Sequence, residues 1–206
     1  CGEPGLAWLR SLPDDYMTKK QTVSYAGLFD DVGADAWYAP SVDYVKYGRL
    51  MYGTGNNLFQ PDAQMTRAMF AQVLYALEGS PSVRGLSCPF TDAGGSWYTD
   101  AVIWAYHAGV VAGVSATQFA PNEALTREQM VTMLYGYAGR DEQLYGSDGA
   151  LASYQDQASV SDWAREAMAW AVSTGVITGT STTTLAPQKI GTRAEVATVL
   201  MQFCEQ

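Results

Sequence analysis

Counted from an arginine, apolar residues fall at positions +3, +6, +7 and +10 in three separate stretches. They are Phe70, Val73, Leu74 and Leu77 after Arg67, then Met130, Met133, Leu134 and Tyr137 after Arg127, then Val196, Val199, Leu200 and Phe203 after Arg193. This is the stripe of a helix that turns one face to a core. Thr66, Thr126 and Thr192 precede the arginines and predict the N-caps, with Gln129 and Glu195 completing capping boxes. Met69 takes that reciprocal place in the first stretch, so only the threonine cap is expected there. An earlier helix is expected upstream of each. Ser96 is the predicted cap of the second, with Ala101, Val102, Trp104, Ala105 and Ala108 on its apolar face. Ser161 is the predicted cap of the third, with Ala167, Met168, Trp170 and Ala171 repeating the face. Tyr44, Trp104 and Trp170, each seven residues after a leading Trp, are expected on the same face as that Trp. Gly109 and Gly175 mark helix ends, where the first stretch reads Gly48-Arg49. Phe59, Phe119 and Leu185 precede Pro61, Pro121 and Pro187 by two residues and read as inward plugs before a rigid turn.

These stretches share one ruler. Trp37, Gly53, Pro61 and Arg67 are spaced as are Trp97, Gly113, Pro121 and Arg127, and as are Trp163, Gly179, Pro187 and Arg193. Trp to Arg is thirty residues each time, while the units start 60 and then 66 residues apart. Fixed inside and elastic between, they are supersecondary repeats joined by loops. One such helix–loop–helix cannot bury two apolar stripes, so a closed three-part assembly is expected. The predicted division is an N-terminal extension 1–27, units at 28–78, 90–138 and 154–206, and linkers 79–89 and 139–153 rich in Gly, Ser, Pro and Asp. The extension carries Trp8, Leu9 and Leu12, enough for a short docking segment.

With 206 residues and 48% apolar content the chain can bury a core. No apolar run reaches the length of a membrane-spanning helix. Twelve basic residues against 21 acidic ones give a formal charge of −9, which argues against nucleic acid or an anionic membrane as partner. An anionic ligand then needs positive charge placed locally. Thirteen Tyr and six Trp suit a sugar-binding surface, although aromatics more commonly fill cores. Cys1, Cys88 and Cys204 fit neither a disulfide framework nor a metal site, and one pair forms only in an oxidising compartment. Cys1-Gly2 fits a lipidated lipoprotein start or a plain processing boundary. His107 is a lone histidine, and no Walker loop, zinc pair or serine elbow occurs, so no enzyme is read here and no cofactor is implied.

The arginines need explaining. Each falls at the first helical position, where the helix dipole disfavours a cation by about 0.3–1 kcal/mol. A bound anion reverses that sign, because the helix terminus attracts it and a guanidinium adds a charge-assisted contact. The alternative is pairing with an acid of a neighbouring unit, such as Asp31, Asp92 or Asp156. Gly53, Gly113 and Gly179 would let backbone approach a ligand closely, or adopt positive φ in a turn. Trp37, Trp97 and Trp163 could stack on a sugar ring, or be buried anchors of the repeat.

Phe29-Asp30-Asp31-Val32, Trp37-Tyr38, Met51-Tyr52-Gly53-Thr54-Gly55, Phe59-Gln60-Pro61 and Thr66-Arg67-Ala68 together resemble an S-layer homology (SLH) repeat. So do Phe90-Thr91-Asp92, Trp97-Tyr98, Val110-Val111-Ala112-Gly113, Phe119-Ala120-Pro121 and Thr126-Arg127-Glu128, and the third unit ending in Thr192-Arg193-Ala194-Glu195. The resemblance covers about residues 28–204. It implies a mainly α-helical, pseudo-threefold fold in one chain, with a central three-helix bundle and three prongs. It implies a noncatalytic, secreted module at the bacterial cell surface, cell wall or S-layer. Its partner would be an anionic cell wall polysaccharide, a secondary polymer often ending in pyruvylated N-acetylmannosamine, bound in grooves between repeats; S-layer or other surface proteins are further candidate partners. The family's arginine carries over to Arg67, Arg127 and Arg193, and its loop glycine to Gly53, Gly113 and Gly179. Departures are Arg49, Met69, Ser115 and Ser181, and in the third unit Tyr154, Ala164 and Leu185. A scaffold that keeps the fold with reduced sugar binding is the competing expectation.

Overall fold

The computed structural model describes residues 28–139, 146–147 and 149–205. The readings of Cys1 and of the N-terminal extension lie outside these residues. Six α-helices are present among the described residues: α1 Ala39–Tyr47, α2 Arg67–Leu77, α3 Thr99–His107, α4 Arg127–Ala138, α5 Arg165–Ser173 and α6 Arg193–Cys204. Among the described residues there is no named strand, and no helix is long and apolar enough to cross a membrane. Thr66, Thr126 and Thr192 cap α2, α4 and α6 by accepting from the third helical N–H, with full capping boxes at Thr126 and Thr192. The stripes are buried as the spacing requires, with Phe203 only half-buried. Burying each large apolar side chain contributes roughly 1.5–3 kcal/mol.

The first helices start later than their sequence suggests. Thr99 opens α3 and Arg165 opens α5, after a single 3₁₀ turn Asp162–Ala164 in the third unit. Ser96 therefore caps nothing; its N–H donates to Thr99 Oγ1 at 2.9 Å, and that hydroxyl donates to the Ala93 carbonyl. Ser161 likewise makes no cap hydrogen bond, because its N–H and hydroxyl go to the buried Glu128 carboxylate at 3.0 and 2.7 Å. Gln188 donates to the same carboxylate at 2.7 Å, so Glu128 ties the second unit to the third. Since each α-helix starts after its leading Trp, that residue shares no α-helical face with the buried Tyr44, Trp104 or Trp170. Trp37, Trp97 and Trp163 are instead 65, 61 and 58% exposed.

Gly109 and Gly175 end their helices at positive φ, and Arg49 does the same at φ 56°, a conformation costing a non-glycine residue about 1–2 kcal/mol. Phe59, Phe119 and Leu185 are fully buried. The residue after each plug, Gln60, Ala120 or Ala186, also has positive φ. Two backbone N–H groups at each such corner donate to one aspartate: Phe59 and Gln60 to Asp31, Phe119 and Ala120 to Asp92, Leu185 and Ala186 to Asp156. Those bonds hold the strained corner in place.

The three units interlock in cyclic order. Helix α2 packs on α3, α4 on α5, and α6 on α1, while α2 also meets α4. At the centre, Met65 N–H donates to Gly191 O at 3.0 Å, Gly191 N–H to Leu125 O at 2.9 Å, and Leu125 N–H back to Met65 O at 2.8 Å. This hydrogen-bonded triangle joins three segments that are far apart in sequence. Cys88 and Cys204 are free thiols.

Candidate functional site

Arg67, Arg127 and Arg193 each open a helix, yet those helix ends are not free to bind an anion. The Arg67 and Ala68 N–H groups donate to Glu123 O and Pro121 O, both at 3.0 Å. Arg127 and Glu128 do the same to Lys189 O and Pro187 O, and Arg193 and Ala194 to Ala63 O and Pro61 O. With the third N–H on the threonine cap, the orphan donors of the first turn are spent on the next unit's loop.

The side chains follow. Arg67 Nε donates to Phe119 O at 2.9 Å and Nη2 to Ala112 O at 3.1 Å. Arg127 reaches Leu185 O and Thr178 O at 3.2 and 2.8 Å, and Arg193 reaches Phe59 O and Tyr52 O at 2.7 and 2.6 Å. Arg67 and Arg193 also stack over the plugs Phe119 and Phe59, 4.7 and 4.5 Å from the ring centroids. The three residues are only 6, 5 and 8% exposed. Stability thus has its own use for an arginine at the helix start: each clamps the loop of the next unit through two carbonyls. The acid-pairing alternative fails, because Asp31, Asp92 and Asp156 accept loop N–H groups and no described carboxylate forms an ion pair with these guanidiniums. Burial draws all three arginines below their ordinary range. Nearby charge opposes this, from Glu123 and Asp92 at Arg67, Glu195 at Arg127, and Asp31 at Arg193. Asp92 sits below the usual carboxylate range, because the Phe119 and Ala120 N–H groups outweigh the burial that raises it. Asp156 is lowered chiefly by the Leu185 N–H, against burial.

Among the described residues, Nη1 of each guanidinium has no partner, and it is not a buried orphan either. Arg67 and Arg127 line open grooves. One, of about 480 Å³, is bounded by Arg67, by Ala112 and Gly113 of the second unit's loop, by Gln129 and Thr132 of α4, and by Trp163 of the third unit. The other, of about 250 Å³, is bounded by Arg127, by Thr178 and Gly179 of the third unit, by Glu195 and Thr198 of α6, and by Trp37 of the first. Each therefore takes an arginine from one unit, a glycine loop and helix from the next, and a tryptophan from the one after. Arg193 reaches the Gly53 loop by the same rule, through the Phe59 and Tyr52 carbonyls.

The glycines are explained by packing rather than by positive φ, which none of the three adopts. A Cβ on Gly53 would meet the Phe29 ring at 2.7 Å; on Gly113, the Gln118 carbonyl and Phe90 ring at 2.5 Å; on Gly179, the Thr184 carbonyl and Tyr154 ring at 2.6 Å. The close approach is to the protein itself. Sequence reasoning missed the Asp corner clamps, although an aromatic-x-Asp recurs 27 to 29 residues before each plug. It also missed Glu128, which has no counterpart in the other units and so left no repeated signal. His107 is exposed, with Nε2 2.7 Å from the Ser87 carbonyl.

A model of the S-layer homology domain matches residues 28–71, 89–131 and 153–197. Similar proteins include "Exoglucanase XynX" of Acetivibrio thermocellus, 29% identical over 86% of this chain and 16% of its own length. Others are an "S-layer protein" of Bacillus thuringiensis subsp. finitimus, 27% identical over 86% of this chain and 21% of its own, and "S-layer protein sap" of Bacillus anthracis, 28% identical over 89% and 22%. The chain thus spans about a fifth or less of the length of these relatives.

Proposed function

The chain belongs to the S-layer homology domain family, and from that membership we propose that it is a noncatalytic anchoring module whose inter-unit grooves bind a carboxylate-bearing secondary cell wall polymer. It thereby attaches to the bacterial cell surface whatever polypeptide carries it. The observation that carries this reading is the composite groove, in which a half-satisfied guanidinium, a loop and an exposed tryptophan converge from three units. The chemistry suits a sugar bearing a pyruvyl ketal. The free Nη1 donates to the carboxylate, and the indole offers a flat apolar face to the ring. The overall charge of −9 repels a polyanion, so attraction depends on these local cations. Polysaccharide-degrading activity belongs to the relatives named for it, and any such activity joined to this module would reside in another domain.

Sedimentation with purified cell wall sacculi, before and after chemical removal of the secondary polymer, tests the proposal. The variant of choice is Trp37→Ala, Trp97→Ala and Trp163→Ala together, because these exposed side chains leave the core intact. We expect polymer-dependent co-sedimentation that falls about tenfold or more in the triple variant. Equal binding with and without polymer would end the glycan reading. One observation favours a second reading, a protein-interaction scaffold: two donors of every guanidinium are already used inside the fold. Retention of a surface-protein partner with no affinity for pyruvylated sugar would support it.

A further inference from the structure

The three units differ at one atom beside the loop glycine. Phe29, Phe90 and Tyr154 hold equivalent places, and each ring lies against the loop glycine of its own unit. The hydroxyl is peculiar to Tyr154. It accepts the Gly179 N–H at 3.2 Å. The Gly53 and Gly113 N–H groups have no acceptor among the described residues. Arg127 and Gly179 line the same groove. Lys189, the second cation of that groove, is in turn paired with the Glu195 carboxylate. The Arg127 groove is about half the volume of the Arg67 groove, 250 against 480 Å³. The donors that an incoming carboxylate needs are thus largely engaged here and open elsewhere.

We propose that Tyr154, through its bond to Gly179, weakens the Arg127 groove. Its hydroxyl takes the backbone donor that the other two grooves present to ligand, so an anionic glycan docks in the Arg67–Gly113 and Arg193–Gly53 grooves and only weakly in the Arg127–Gly179 groove. This deepens the groove reading above and rests on it. An amide hydrogen bond to a carboxylate is among the stronger kinds, so its loss makes the Arg127 groove about tenfold weaker or more.

Titration calorimetry of the chain with synthetic pyruvylated N-acetylmannosamine tests it. The wild type should bind about two equivalents with similar affinity, and Tyr154→Phe should raise this to about three by freeing the Gly179 N–H. The reciprocal Phe90→Tyr variant should lower it to about one, and a melting curve checks that each variant is folded. Three equal sites in the wild type would overturn the proposal, as would a stoichiometry that stays fixed or falls in Tyr154→Phe; a fall would mean that the hydroxyl donates to the ligand. Absence of all binding in the wild type overturns the groove reading and this inference with it. Two sites that ignore Tyr154→Phe overturn the inference alone.

Discussion

Asp43 sits on α1, 4% exposed, with Oδ1 unpartnered among the described residues. Burial raises its pKa from 3.8 to about 6, only partly offset by Lys46. The folded state therefore holds this proton more tightly than the unfolded chain does. Between about pH 4 and pH 6 stability falls as pH rises, and above that the cost is fully present. Asp43→Asn should accordingly stabilise the protein at pH 7, by an amount on the order of 2 kcal/mol, and the gain should vanish below about pH 4. Denaturant melts of both forms across that range check this; a gain independent of pH would mean that folding does not shift the Asp43 pKa. Other residues show how far a sequence can be read. The arginine was visible as an anomaly at a helix start, but its clamp was not, since the accepting carbonyls belong to residues 45–141 positions away. The positive φ of Gln60, Ala120 and Ala186 carries no glycine to announce it.

Helices α2, α4 and α6 were legible because a cap and a stripe are both local: the threonine, its partner three residues on, and the periodic apolar positions lie within one segment. The starts of α3 and α5 were not, because Ser96 and Ser161 offer plausible caps that are drawn elsewhere, Ser96 to the nearby Thr99 hydroxyl and Ser161 to Glu128 of the second unit. At this scale the capping box makes a clear prediction. Thr126→Ala removes the hydroxyl that accepts the Gln129 N–H and leaves only the reciprocal bond from the backbone N–H of residue 126 to Gln129 Oε1. It should cost about 1 kcal/mol, read as a lowered urea midpoint with unchanged slope. An unaltered midpoint would mean that the neighbouring loop carbonyls alone secure the start of α4.

Taken whole, the protein is held by contacts that run from each unit to the next and from the third back to the first. The three repeats and their need for one another could be inferred from unpaired apolar faces. The polar seam between them could not, because the Met65–Gly191–Leu125 triangle uses only backbone atoms and leaves no mark in side-chain chemistry. If that ring is essential, a piece ending after residue 138 loses the partner of α1, the clamp on the Gly53 loop and two sides of the triangle. We expect such a piece to show no cooperative thermal transition by circular dichroism. A sharp transition near that of the full chain would show the units to be independent.

The same closure bears on what happens when an anchor is tugged. The first and third units are stitched by Arg193 N–H to Ala63 O, Ala194 N–H to Pro61 O, and the guanidinium bridge to Tyr52 and Phe59. Tension drawn along the polypeptide between these units meets that seam before it can unspool the linkers, and several short bonds resist it together. A tether built this way would give way in a single abrupt rupture rather than pay out one repeat at a time.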